Sequence, residues 1–528
     1  MFHADQDTDF AGKQAQALVP CAHSPGISVV GSPMSNTFAR KRKCASSQRP
    51  CALKRLHDAV NRNMSWTALI CVPLFVSGIG CTAQSAGQRA QLQTYRELTD
   101  GKATVKRYPQ DARSETSPLP YPDTWSTEDL VEQVLSRNPG IDAARHAWRS
   151  TIDAIDTARR ISDPQLSIAL APLSVLDASA SVGQTWRLDQ SFPLPALLDA
   201  RNQGAVARAQ QDEAVFRQIQ TELSHQARHL WIERWEIVQS LALIDHHESR
   251  FEELKRSVSA ALETGKASLQ APLRIERNLA EMEKERGGLL RRKQMLEARI
   301  NGLLHRPPKE TLPQAALPSV PDVWQPEQTS KHDLTQHPVM LWFAANEDAA
   351  LAAENIARAE FLPQLAFSAQ YSTMFMQPGH QWMLGAGVQL PLSWRERTAK
   401  LESALSTRER RQYESLEAED QISVAVHSAQ LKGEEAWQRW HLYQDRLIPT
   451  TQAEADAART GFETGRASFL EWVRAENELQ NMELSMAKAQ ADLHRASADA
   501  LLAAGRSGST TTSVFVPQAS NTAGEVTP

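Results

Sequence analysis

Alternation of apolar and polar residues occurs in two pairs of short segments, one pair in each half of the chain. Because successive side chains of a strand point to opposite faces, this alternation predicts β-strands with one apolar face. Each run covers about 10 residues, the length that a tilted membrane strand needs. The pattern predicts four membrane β-strands, with apolar positions Leu166, Ile168, Leu170, Trp186 and Leu188 in the first pair and Leu365, Phe367, Tyr371, Trp382, Leu384 and Val388 in the second.

Long segments without proline follow each pair of strands. Proline is absent from Ala196 to Ala271, from Ser393 to Ile448 and from Thr450 to Val516. A helix of about 65 residues would reach on the order of 100 Å, a length that suits a coiled-coil assembly. A shorter helix is predicted before the first strands, with Ser126 as its N-cap and Asp129 supporting the first turn.

The chain also repeats itself. Four landmarks recur in the same order at offsets of 198–200 residues, which predicts a tandem duplication. The matched pairs are Asn138-Pro139 with His337-Pro338, Pro164-Gln165-Leu166 with Pro363-Gln364-Leu365, Phe192-Pro193-Leu194 with Leu390-Pro391-Leu392, and Glu263 to Ser268 with Glu463 to Ser468.

These features divide the chain into seven parts. Proline-rich segments are extended because proline cannot continue a helix, and a tail rich in Ser, Thr and Gly is typical of disorder. The predicted parts are a disordered leader or misassigned start (1–63), a signal peptide (64–80), an N-terminal strap (81–124), a first repeat (125–305), a proline-rich linker (306–324), a second repeat (325–505) and a disordered tail (506–528).

The signal peptide is predicted from an apolar stretch between Met64 and Gly80. Lys54, Arg55 and Arg62 precede this stretch, which is too short to span a bilayer comfortably. Cys81 follows Gly80, an arrangement that resembles the lipobox of bacterial lipoproteins, in which the cysteine is acylated. Ordinary cleavage after Ala83 is the alternative.

Composition excludes several functions. Residues 1–80 contain nine Lys/Arg and four Asp/Glu, so the net charge of −5 leaves the remaining body at −10. An acidic body argues against a nucleic-acid partner, and no residue after Cys81 is a cysteine.

We find no catalytic arrangement and expect no enzyme, cofactor or metal site. The run Asp245-His246-His247-Glu248 is interpreted as a polar patch, because neighbours on a helix point in different directions.

Four strands cannot form a stable open sheet in lipid, because both edges would expose unpaired N–H and C=O groups. Strands from other copies can pair with these edges. Three copies would supply twelve strands, enough for an open barrel. The expected fold is therefore mainly α-helical, with a membrane β-barrel closed in a trimer and continued by a long coiled-coil helical tunnel.

The sequence resembles the TolC-like outer-membrane factors over residues 125–505. The resemblance rests on the Leu130 to Pro139 helix motif, the Pro-Gln-Leu strand entries, the Gln190 to Pro195 strand exit and the duplicated Thr-Gly turns. Within that family, the Phe-Pro-Leu-Pro exit and the Cys81 anchor look closest to the heavy-metal efflux branch, although Ala196-Leu197-Leu198 replaces the Gly-Gly-Lys often found there.

The resemblance implies a homotrimeric outer-membrane channel that extends into the periplasm and exports metal cations or small toxic compounds. Its implied partners are a periplasmic adaptor, an inner-membrane pump of the RND type and outer-membrane lipid. The implied adaptor-contacting hairpin tips are Gly265, Lys266, Ser268, Gly465, Arg466 and Ser468, and the implied periplasmic gate residues are Arg466 and Glu471.

The residues themselves also indicate where the hairpin tips lie, because Gly265 and Gly465 interrupt helical patterns. Ser268 and Ser468 are expected to cap the returning helices. Simple exposed charges are the alternative for Arg466 and Glu471. Trp186, Tyr371 and Trp382 are interpreted as a membrane-interface girdle, with ordinary packing as the alternative. A drug channel, a type I protein-secretion channel and a structural coiled-coil lipoprotein remain alternatives for the function.

Overall fold

The computed structural model describes residues 85–99, 123–171, 183–263, 268–320, 334–375 and 377–508. Cys81, Gly265 and Lys266, three of the residues expected to act in anchoring or docking, lie outside these ranges, as do the leader, the signal segment and most of the tail.

The first repeat begins with two helices and ends with two long ones. Ser126 caps α2 (Thr127–Arg137) in a capping box with Asp129, as predicted. Asn138 then caps α3 (Pro139–Ala158), so Pro139 restarts the helix at its first position. After the strands, α4 (Pro195–Glu263) runs unbroken for 69 residues, confirming the long-helix prediction. It is followed by α5 (Gln270–Leu303).

The described part of the second repeat contains equivalents of α3, of the strand pair and of the long helical hairpin, in the same order. His337 caps α6 (Pro338–Ala359), as Asn138 caps α3. The long helix α7 (Trp394–Leu442) continues through a π-turn (Tyr443–Leu447) into α8 (Ile448–Glu463), and α9 (Phe469–Ala503) returns. Pro449 therefore does not end the long helix, because the π-turn before it removes the need for a regular i→i−4 hydrogen bond.

Four strands form one antiparallel sheet in the order β2-β3-β5-β6. They are β2 (Gln165–Leu170), β3 (Gln184–Phe192), β5 (Gln364–Ser372) and β6 (Trp382–Gln389), with a short 3₁₀ turn (Pro378–His380) between the last two. The predicted strand positions are confirmed. Within the described residues β2 is shorter than the length of about 10 that was expected.

Three short elements outside the four-stranded sheet and the long helices complete the fold. The helix α1 (Ala86–Leu98) was not predicted, and its residues were expected to form part of a strap, although Ser85 caps this helix and Leu92 and Tyr95 lie on its buried face. The short strands β1 (Thr124–Trp125) and β4 (Gln314–Ala315) pair in parallel, so the proline-rich linker is tied to the start of the first repeat.

Two tryptophans anchor the cores of the first repeat. Trp148 on α3 is fully buried and packs between Tyr95 of α1 and Phe216 of α4, with ring centroids 5.0 and 5.7 Å away. Trp231 on α4 is also fully buried and donates its indole N–H to the Trp125 carbonyl at 3.2 Å. These contacts fix α1, α3 and β1 against the long helix.

Among the described residues, no helix is sufficiently long and apolar to cross a membrane.

Candidate functional site: the sheet, the helical tip and a histidine cluster

The strand register places the apolar residues on one face of the sheet. Directly paired residues share a face, and the register pairs Leu166 with Leu188, Trp186 with Tyr371, and Leu365 with Val388. The predicted amphipathic face is therefore continuous over all four strands. It is also uncovered in the protomer: Leu166, Ile168, Leu170, Trp186, Leu188, Leu365, Phe367, Trp382, Leu384 and Val388 are exposed, and Tyr371 is half-buried.

The opposite face of the sheet is polar and closely packed. Arg187 and Asp189 on β3 form an ion pair at 2.9 Å on this face. Gly385 of β6 lies opposite Ser368 of β5, and an added Cβ there would come within 2.6 Å of the serine hydroxyl. One face of the sheet thus suits hydrocarbon and the other suits water.

Three aromatic residues lie in one row across neighbouring strands. Tyr371 pairs with Trp186 on one side and with Trp382 on the other. The Tyr371 and Trp382 ring centroids are 5.0 Å apart. A row at one level is the arrangement that an interface girdle needs, and the girdle remains a prediction.

Both outer strands of the sheet have one side without a partner strand. In the sheet order, β2 and β6 are the two edges, and among the described residues no strand pairs with their outer sides. Unpaired backbone N–H and C=O groups cannot remain exposed to lipid. The protomer therefore presents an open sheet that requires further strands if it enters a bilayer.

The turn between α8 and α9 is built from two standard helix-terminal motifs. Gly465 has φ +73°, its N–H donates to the Phe462 carbonyl, and the Arg466 N–H donates to the Gly461 carbonyl at 2.8 Å. This pair of bonds is a Schellman motif, which requires a left-handed residue. Ser468 then caps α9 in a capping box with Glu471.

The equivalent turn of the first repeat differs from the prediction for Ser268. That residue does not cap the returning helix: α5 begins at Gln270, Leu269 occupies the N-cap position, and no side chain accepts a hydrogen bond there. Ala271 occupies the position that corresponds to Glu471, so the acid of a capping box is absent.

The two residues expected to act in gating both lie at this turn. Arg466 and Glu471 are exposed, and the Glu471 carboxylate accepts the Ser468 N–H at 3.0 Å. Glu471 therefore has a local capping role, and the gating role of both residues remains a prediction.

Replacing Gly465 with valine tests the tip. A β-branched side chain at φ +73° is strained by about 1–2 kcal/mol, although no atom lies within 4 Å of the added Cβ. We expect weaker adaptor binding by the Gly465→Val variant while the protein stays inserted in the outer membrane, measured by co-purification and membrane fractionation. Gly288→Val is the matched control, because Gly288 is an exposed helical glycine without positive φ and with open space around it. Loss of membrane insertion in Gly465→Val alone would contradict the assignment of this turn to the tip.

One pair of histidines was not among the predicted site residues. His225 and His229 stand at i and i+4 on α4, so they share a helix face, and both imidazole Nε2 atoms lie against Asp499 Oδ1 of α9, at 2.7 and 2.8 Å. Burial disfavours the Asp499 carboxylate, but hydrogen bonds and charge from both histidines outweigh burial and hold its pKa well below its usual range. The i,i+4 spacing of His225 and His229 could have been recognised in the sequence. The proximity of Asp499 could be seen only in the folded structure.

The run from Asp245 to Glu248 does not converge in this way. His247 is buried and its Nε2 contacts Glu483 at 2.7 Å, whereas His246 is exposed. In the described part of the chain, the one group of three candidate metal ligands is His225, His229 and Asp499. The interpretation of this run as a polar interhelical patch agrees with these contacts.

The combination of a four-stranded sheet with a lipid-compatible face and paired helices of about 100 Å is the protomer architecture of TolC-like outer-membrane channels. Residues 331–506 match the family model described as outer membrane efflux protein. This match covers the second repeat and confirms the resemblance to this family of transport proteins that the sequence predicted.

Solved structures show the same fold. The chain is similar to CusC, in a study of folding and transmembrane channel formation, with 15% identity, a TM-score of 0.64, and coverage of 72% of this chain and 92% of that chain. It is similar to the outer membrane protein VceC of Vibrio cholerae, with 15% identity, a TM-score of 0.62, and coverage of 72% of this chain and 96% of that chain. It is also similar to the CmeC outer membrane channel of Campylobacter jejuni, with 12% identity, a TM-score of 0.62, and coverage of 72% of this chain and 85% of that chain. No curated protein matches the sequence.

Proposed function

We propose that three copies of this chain form a passive exit duct across the outer membrane. The observation that carries the proposal is the open sheet, which has an uncovered apolar face and two unpaired edges. Pairing β2 of one copy with β6 of the next would satisfy both edges and place the apolar face toward lipid. Three protomers would then close a barrel of twelve strands, with the polar face lining a water-filled lumen.

The helical part of the chain supports the same assembly. The long helix α7 exposes apolar side chains along its length, which a single protomer leaves uncovered: Leu405, Tyr413, Leu416, Val424 and Leu431. Exposed apolar stripes of this extent are typical of interaction surfaces. In the proposed trimer, helices of neighbouring copies would cover this stripe and continue the barrel as a tunnel.

Conductance measurements test the duct. Purified protein should migrate as a trimer on unheated gels, dissociate on heating, and produce discrete conductance steps in planar bilayers. A wide water-filled pore conducts because its polar lumen lets hydrated ions through. A monomeric or rod-like dimeric protein without conductance would instead favour the structural coiled-coil lipoprotein.

The proposed duct works with an inner-membrane pump, of the RND type, through a periplasmic adaptor that docks on the hairpin tips. The turn at Gly465 and its equivalent at Gly265 are the proposed docking points, and Arg466 and Glu471 are proposed to contribute to the gate.

Acylation of Cys81 is proposed to anchor the mature N-terminus to the membrane. Replacing Cys81 with serine should abolish metabolic labelling by palmitate, and unchanged labelling would contradict acylation at this residue.

Metal cations are the proposed cargo, with drugs or secreted polypeptides as the alternatives. The strand exit Phe192-Pro193-Leu194-Pro195 and the Cys81 motif support the metal branch, and the acidic body is compatible with cations. A deletion strain should become sensitive to copper, zinc or cobalt and regain resistance with the wild-type gene. Sensitivity to hydrophobic drugs alone would reject metal cations as the cargo.

A further inference from the structure

Three metal-binding side chains from two distant parts of the chain converge on one point. His225 and His229 belong to α4 in the first repeat, and Asp499 belongs to α9 in the second. The imidazole ring centroids of the histidines are 4.2 Å apart, and the donor atoms of all three residues lie within 4.8 Å of one another. Among the described residues, this is the one group of three side chains that could together hold a metal ion.

The spacing of these atoms is close to that of a metal coordination shell. Zn²⁺ binds histidine nitrogen at about 2.0–2.1 Å with tetrahedral geometry, which separates neighbouring ligand atoms by about 3.3 Å. The Nε2–Oδ1 distances here are 2.7 and 2.8 Å. Small side-chain rotations would therefore be enough to admit an ion, and no helix would have to move.

An ion could reach this point from solvent. The three side chains are 24%, 32% and 42% exposed for His225, His229 and Asp499, respectively. His225 and Asp499 also line a cavity of about 940 Å³ between α4, α6, α7 and α9, together with Glu222, Glu414 and Glu417. The cavity leaves room for a water molecule as a fourth ligand, and its four carboxylates outnumber its two cationic side chains, Arg411 and Lys432, which favours a cation.

We propose that His225, His229 and Asp499 bind one divalent transition-metal ion of borderline softness, such as Zn²⁺. Two imidazoles and one carboxylate are a ligand set that suits zinc, copper, cobalt or nickel and disfavours Ca²⁺ and Mg²⁺, which take oxygen ligands. This site does not depend on the identity of the exported cargo. It lies among the helices and would bind metal whichever compound the duct exports.

Binding would link the two repeats of one protomer. The segment after α9 already returns to α4 at this level, where the buried Arg228 donates to Glu128 at 2.9 Å and to the Ser507 carbonyl at 2.8 Å. A metal ion within one turn of Arg228 would strengthen the contact between α4 and α9, which polar pairs such as His247–Glu483 already join elsewhere along the two helices. Because a ligand bound only by the folded state stabilises it, the ion should raise the unfolding temperature.

Calorimetric titration of Zn²⁺ into chelator-treated, tag-free trimeric protein tests the proposal. We expect one ion per protomer and a higher unfolding temperature with Zn²⁺. Since loss of outer-shell partners alone typically costs 10–100-fold in metal affinity, losing a direct ligand in His229→Gln or Asp499→Asn should weaken binding by more than about 100-fold. Co²⁺ should give a visible spectrum without thiolate charge-transfer bands, which separates this site from Cys81.

Controls separate a metal site from an interhelical hydrogen-bond cluster. His246→Gln changes an exposed histidine on the same helix and should leave Zn²⁺ affinity unchanged. All variants should remain trimeric without metal, because both substitutions keep hydrogen-bonding side chains. Absence of Zn²⁺ binding by the wild type, or Zn²⁺ binding by Asp499→Asn and His229→Gln as tight as that of the wild type, would overturn the proposal. Neither result would bear on conductance, so the exit duct is tested separately.

Discussion

Arginine at position 384 should prevent this protein from inserting into the outer membrane. Leu384 is on the apolar face of β6, and 86% of its side chain is exposed in the protomer. A lipid-facing arginine in the middle of a barrel strand costs about 2–4 kcal/mol, and a trimer would contain three copies of the substitution. We expect Leu384→Arg to disappear from the outer-membrane fraction and to lose its heat-modifiable trimer.

Met383→Arg is the matched control for this prediction. Met383 is the neighbouring residue of the same edge strand and points to the polar face of the sheet, so an arginine there would face the proposed lumen. The Met383→Arg protein should insert normally and change only ion selectivity in bilayer recordings. Equal insertion of both variants would show that the apolar face does not contact lipid.

Acid should destabilise the helical part of the protein through His494. This histidine is buried in α9, and burial lowers its pKa to about 4 from 6.5. The folded state therefore binds fewer protons than the unfolded state between these values. The contribution of neutral His494 to the free energy of unfolding is fully present above pH 6.5. This contribution is lost as the pH falls toward 4, a change of about 3 kcal/mol.

The variant His494→Leu isolates this effect. Leucine fills a similar volume without a titratable group, so the fall in unfolding temperature between pH 7 and about pH 4 should be smaller than in the wild type. Part of the acid sensitivity should remain, because burial also lowers the pKa of His337. His146→Leu, at an exposed position on α3, should retain the full acid sensitivity. If the unfolding temperatures of the wild type and His494→Leu fell equally between pH 7 and about pH 4, the acid sensitivity would not come from His494.

The strands and the longest helices could be predicted because each follows from a local pattern. Alternation at Leu365, Phe367 and Tyr371 gives a strand regardless of its partners. The absence of proline between Pro195 and Glu263 allows one helix over the whole distance. Tyr371 and Trp382 pair within one hairpin, but the register that aligns Trp186 with Tyr371 joins residues 185 positions apart, and no local pattern carries that information.

The errors have equally physical causes. Ser268 was assigned by analogy with Ser468, but a serine cap is reinforced by an acid three residues later, and Ala271 cannot provide one. Pro449 separates two proline-free segments of the sequence, and the helix continues through it because the preceding π-turn absorbs the proline. The His225 and His229 pair was visible in the sequence. Its partner Asp499 was not, since it comes from a helix 270 residues further along.

The π-turn from Tyr443 to Leu447 also reconciles the lengths of the two repeats. The run from Trp394 to Glu463 is one residue longer than α4, its equivalent in the first repeat. A π-turn accommodates one additional residue with little increase in axial length. The insertion is thus hidden inside the helix, and both hairpins can end at the same depth below the sheet. A docking ring that needs six tips in one plane could then form from unequal repeats.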